Sequence, residues 1–141
     1  MADADSTNSR ADRLAQAEAA INALKGEYTH QLQADAAHLQ QVFASLDQSN
    51  PSPAAIEELF GIAHNLKGQA GSFGYDLVTS IAASLCDQVR EMSGIASGQD
   101  LKAIERHVVV LGRVVEKGVV GTGGETGEKI VQSLRGLHAR T

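Results

Sequence analysis

Residues 56–74 read Ile56-Glu57-Glu58-Leu59-Phe60-Gly61-Ile62-Ala63-His64-Asn65-Leu66-Lys67-Gly68-Gln69-Ala70-Gly71-Ser72-Phe73-Gly74, and this stretch decides the fold. Ile56, Leu59, Phe60, Ala63, Leu66 and Ala70 recur at steps of three or four, the spacing of a core-facing stripe on a helix. His64 lies about 100° round from Ala63, off that stripe. Its same-face neighbours at helical spacing are Glu57, Gly61, Lys67, Gly68 and Gly71. Glycine within a helix costs roughly 1 kcal/mol relative to alanine. Several glycines around one histidine, with a lysine one turn away, therefore need a reason. A cleared landing surface supplies one: a bulky partner must come close to the ring, and side chains there would block it.

Working outward, the same period organises the rest of the chain. Leu14, Ala17, Ile21, Leu24, Tyr28, Leu32, Ala36, Leu39, Val42 and Leu46 mark two helices meeting near Gly26, or one long helix weakened there. Residues 1–8 read as a disordered tail. Asp47 to Pro53 is a turn, and Ser52-Pro53 is a cap and first-turn pair for the helix carrying His64. That helix should stop between Gly71 and Gly74. A further helix from about Asp76 has Leu77, Ile81, Leu85, Val89 and Met92 on one face. Ser93-Gly94 and Ser97-Gly98 mark the next connection, and Asp100 can cap a helix lined by Leu101, Ile104, Val108, Leu111 and Val115. Five glycines between Gly118 and Gly127 read as a linker over 119–127, followed by a short helix or disordered tail over 128–141. The expected fold is all-α: an antiparallel up-down four-helix bundle over 9–118 with an additional N-terminal helix.

Composition narrows the function classes. The net charge is −5 with no basic run, which argues against nucleic acid as the main partner. No apolar run approaches the roughly 20 residues that span a membrane. The polar start with Asp3 and Asp5 is unlike a secretory signal, and the single cysteine, Cys86, cannot form an internal disulfide. A cytoplasmic monomer is expected. The other histidines, His30, His38, His107 and His138, have no convincing metal-ligand spacing. Cys86, among Ile81, Leu85 and Val89, reads as a small core residue.

His64, Leu66, Lys67, Gly68, Ala70, Gly71 and Gly74, framed by Phe60, Ala63 and Phe73, resemble the motif of the histidine-containing phosphotransfer (HPt) family of phosphorelay proteins. The motif covers about a dozen residues, and the helical context fits the family over roughly residues 27–118. The resemblance implies a helical bundle with an exposed histidine midway along one helix. It implies that His64 takes a phosphoryl group from an aspartyl phosphate on a receiver domain and passes it to a second receiver. The partners would be receiver domains of response regulators and hybrid histidine kinases.

The chemistry suits the residue types. A neutral imidazole is a good nucleophile near pH 7, and the ordinary histidine pKa of about 6.5 leaves an exposed ring mostly unprotonated there. Positioning and charge stabilisation dominate phosphoryl transfer. Lys67, one turn along, is placed to meet a phosphate oxygen, and Gly68 leaves room for the receiver. Docking would involve Glu57, Gly61, Gly68, Gly71 and Ser72, with residues near His38, Gln41 and Ser45 on the preceding helix. No phosphate-binding loop of an ATP site is visible: the Gly-rich run near residue 121 lacks the Lys-Ser/Thr of a P-loop. The protein would be a carrier and not an enzyme, with no cofactor or metal of its own and Mg²⁺ supplied by the partner. The alternative is a non-catalytic helical adaptor that docks on a receiver or kinase without carrying phosphate.

Overall fold

In a computed structural model describing residues 2–92 and 94–138, with side chains from residue 9 onward, the chain forms five α-helices and one 3-10 turn. The helices are α1 (Ala2–Ala44), α2 (Pro53–Gln69), α3 (Asp76–Glu91), α4 (Gly98–Glu116) and α5 (Gly124–Gly136), and the 3-10 turn is Ala70–Phe73. No strand occurs among the described residues. The chain falls into two compact units, Met1–Gln31 and Leu32–Thr141.

The first unit is the N-terminal part of α1, exposed at every residue from 9 to 27. Of the two readings of this stretch, one long helix is the one observed: α1 runs unbroken through Gly26. One expectation changes. Residues 2–8, expected as a disordered tail, belong to α1.

The second unit buries the stripes that the sequence marks. Leu32, Leu39, Leu59, Leu66, Ile81, Leu85, Leu101, Ile104 and Leu111 are almost wholly removed from solvent. Each such side chain contributes on the order of 1.5–3 kcal/mol relative to leaving it exposed. Neighbouring helices run antiparallel, as their cross-contacts show. His38 of α1 meets Glu58 of α2, Phe60 of α2 meets Arg90 of α3, and Ser84 of α3 meets His107 of α4.

Capping residues set the helix starts. Ser52 takes an extended conformation and its hydroxyl accepts from the Ala55 amide at 3.4 Å, with Pro53 at the first helical position. For α4 the cap is Ser97 and not Asp100. The Ser97 hydroxyl accepts from the Asp100 amide at 3.1 Å, and the Asp100 carboxylate accepts from the Ser97 amide at 2.9 Å. Asp100 therefore supplies the second half of a capping box.

The glycine run is the main departure from expectation. Residues 119–127 are not a free linker: the Gly121 amide donates to the Gly74 carbonyl at 2.6 Å and the Leu77 amide donates to the Gly121 carbonyl at 2.8 Å. Of the short helix or disordered tail expected from residue 128, a helix is observed, and it begins at Gly124. Gly127 is buried inside it, and a methyl group there would run into the Thr122 carbonyl. That glycine serves close backbone approach and not flexibility. α5 packs on the bundle through buried Leu134 and an Arg135–Asp87 ion pair at 3.1 Å. Met1, Ser93 and residues 139–141 lie outside the described residues.

Candidate functional site

α2 holds the site. Its inner face buries Leu59, Ala63, Leu66 and, one step on, Ala70, which fixes the rotation of the helix and turns His64 into solvent. The helix tightens into the 3-10 turn and is stopped by Gly74, whose φ of +88° is the left-handed conformation of a C-terminal glycine.

The imidazole of His64 stacks on Phe60, with ring centroids 5.9 Å apart and planes inclined by 14°. Phe60 in turn has the Arg90 guanidinium 5.1 Å from its ring centroid, a cation–π distance. Arg90 comes from α3, and its Nη1 lies 3.9 Å from Asp87. Lys67 is half-buried one turn beyond His64. Both cations act on Cys86: burial pushes its thiol pKa up, and the charges of Lys67 and Arg90 pull it back. Two positive side chains, one from α2 and one from α3, thus lie within electrostatic reach of Cys86. The buried Cys86 is kept a thiol, as expected of a core residue.

The glycines differ from one another. A methyl group built on Gly61 or on Gly68 would meet no atom within 4 Å. Nothing among the described residues requires glycine at either position. Gly71 is tighter, since a methyl there would lie 3.2 Å from the Thr79 hydroxyl oxygen. Glu57, Gly61, Gly68, Gly71 and Ser72 are all exposed. On α1, His38 bonds Glu58 at 3.1 Å through Nε2, and Gln41 and Ser45 are exposed.

Three features were not anticipated. Arg90 is 26 positions from His64 by residue number, and only the antiparallel pairing of α2 with α3 brings it to Phe60. Phe60 also lines an apolar groove of about 530 Å³ with Pro51, Pro53, Ile56, Met92 and Ile95. Away from the site, Ser84, His107 and His138 form a chain of hydrogen bonds. His107 Nδ1 donates to the Ala103 carbonyl at 2.7 Å, so its Nε2 accepts from the Ser84 hydroxyl at 2.8 Å. Ser84 Oγ then accepts from His138 Nε2 at 3.1 Å, and His138 Nδ1 lies 3.5 Å from Glu91. Burial lowers the His107 pKa to about 4, with the nearby His138 and Arg135 charges adding to the effect and the Ala103 bond opposing it. The sequence signal was present: His107 sits between Ile104 and Val108 on the buried stripe.

Among the described residues, no group of three His, Cys, Asp or Glu side chains is placed to hold a metal ion. No helix among them is long and apolar enough to cross a membrane. No curated protein and no solved structure matches the chain. The Hpt domain family model does match, over residues 11–113, which takes in α2, α3 and nearly all of α4. The chain belongs to the Hpt domain family.

Proposed function

We propose that the protein is a phosphorelay carrier that receives a phosphoryl group on His64 from a receiver-domain aspartate and gives it up to another receiver domain. The carrying observation is a solvent-exposed imidazole flanked by two helical glycines, Gly61 and Gly68, that no packing among the described residues explains. In the forward step the imidazole Nε2 lone pair attacks phosphorus. The N–P bond forms as the P–O bond to the aspartyl carboxylate breaks, the carboxylate is regenerated, and the ring proton on Nδ1 is released to solvent. The reverse sequence on a second receiver returns the imidazole.

Each neighbour has a part in this scheme. The Phe60 ring supports one face of the imidazole and limits its rotation, so the nucleophile is held for in-line approach. Lys67 offers its ammonium to the phosphoryl oxygens, and Arg90 adds a second positive charge behind Phe60. Glu57, Gly61, Gly68, Gly71 and Ser72 form the docking face. The Mg²⁺ that neutralises the phosphoryl group belongs to the receiver, and the exchange takes place in the cytoplasm. The test is transfer of label from a phosphorylated receiver to wild type and to His64→Gln. Loss of label with an intact helical spectrum supports the carrier. A helical adaptor would instead keep its receiver binding and its signalling in His64→Ala, and lose both when Gly68 is replaced by a bulky residue.

A further inference from the structure

The N-terminal part of α1 carries a second surface. Leu14, Ile21 and Leu24 are 61%, 52% and 57% exposed, and they are the largest apolar side chains in a stretch where every residue from 9 to 27 faces solvent. Their placement is regular. Leu14, Ala17, Ile21, Leu24 and Tyr28 follow steps of three, four, three and four, the a and d positions of a heptad repeat. Tyr28, the last of them, is buried, so the unpartnered portion is the four residues before it.

The charges beside the seam indicate what covers it. With Leu14 and Ile21 at a, the g position before Leu14 is Arg13, and the e positions after Ala17 and Leu24 are Glu18 and Lys25. In a parallel pair of identical helices, each g residue faces the e residue five positions further along the other chain. Arg13 then faces Glu18 of the second copy, twice over by symmetry, and Lys25 faces Ala20. No like charges meet across these edges. The antiparallel register that stacks Leu14 on Leu24 and Ala17 on Ile21 also brings Arg13 to Glu27, but it sets Glu18 against its own copy, a like-charge contact that the parallel pair lacks. β-Branched Ile21 at a, followed by Leu24 at d, also suits a two-stranded coil.

We propose that the protein self-associates as a parallel two-stranded coiled coil through Leu14, Ala17, Ile21 and Leu24, with a second copy of this chain as the partner. The monomer expected from sequence is then the dilute state. Two heptads make a short seam, so association is weak and concentration-dependent. None of these residues belongs to the His64 site, so the proposal stands or falls independently of phosphoryl transfer.

The experiment is sedimentation velocity of the full chain from micromolar to millimolar concentration. Wild type should pass from monomer to dimer across that range. Ile21→Asp should stay monomeric throughout with unchanged helical content in the Leu32–Thr141 unit, because Ile21 belongs to the other unit and is exposed. Glu18→Arg should weaken the dimer several-fold, and adding Arg13→Glu should restore it. A wild type that stays monomeric at millimolar concentration overturns the proposal. So does a dimer indifferent to Ile21→Asp. A Glu18→Arg variant that dimerises as well as wild type overturns the parallel arrangement.

Discussion

Gly61 and Gly68 offer a perturbation whose two effects have opposite signs. Both lie on α2, and a methyl group at either would occupy open space. Replacing a helical glycine by alanine there removes only the conformational freedom of the unfolded chain, worth about 1 kcal/mol in a helix interior. Gly61, in the middle of α2, should show the full effect. Gly68, next to the last residue of the helix, should show less. For a chain of this size, 1 kcal/mol raises the melting temperature by about 3 °C. Phosphoryl transfer should move the other way. The added methyl would stand on the proposed docking face, and a displacement on the order of 1 Å in a reacting geometry costs up to about a hundredfold. Gly68→Ala should slow transfer from a phosphorylated receiver by at least about tenfold, and Gly68→Gln by more. Urea unfolding followed by circular dichroism gives the first quantity, and rapid-quench transfer gives the second. Full-rate transfer in a stabilised Gly68→Gln protein would refute the idea that the surface is cleared for a partner. Destabilisation by Gly61→Ala would show that the glycine serves internal packing after all.

Further outcomes follow from the rest of the fold. His107 is held neutral with its pKa lowered to about 4, so the unfolded chain binds the proton that the folded one refuses. Its contribution is intact above about pH 6.5 and is lost as pH falls toward 4, amounting to about 2 kcal/mol by pH 5. Urea midpoints at pH 7 and pH 5 should differ accordingly, and His107→Gln should flatten the difference; an equally steep fall in the variant would assign the acid sensitivity elsewhere. Gly127→Ala should cost about 1–3 kcal/mol of unfolding free energy in urea, because the methyl meets backbone at Thr122 and not a movable side chain. Ser97→Ala removes half of the capping box and should cost about 1 kcal/mol, read from the same titration.

Much of this was legible in the sequence because burial follows the 3.6-residue period so closely. Leu59, Ala63 and Leu66 face inward, and that alone turns His64 outward. Gly74 as a C-terminal stop was legible too, since no other residue takes its backbone conformation as cheaply. What stayed hidden depended on contacts between segments distant in sequence. Arg90 reaches Phe60 only through helix pairing. The glycine run misled because composition cannot separate flexible glycines from ones required by a turn or a close approach. Gly121 is pinned by two backbone hydrogen bonds, and Gly127 has no room for a side chain. Metal-ligand spacing is the wrong criterion for His107, whose position on an apolar stripe marks a ring satisfied inside the core.

The most direct test of the central claim is the site and chemistry of label taken from a phosphorylated receiver. One phosphoryl group per chain is expected, on His64, labile in acid and stable in base, and absent from a folded His64→Gln variant. Label that survives in that variant, or that is acid-stable, would contradict it.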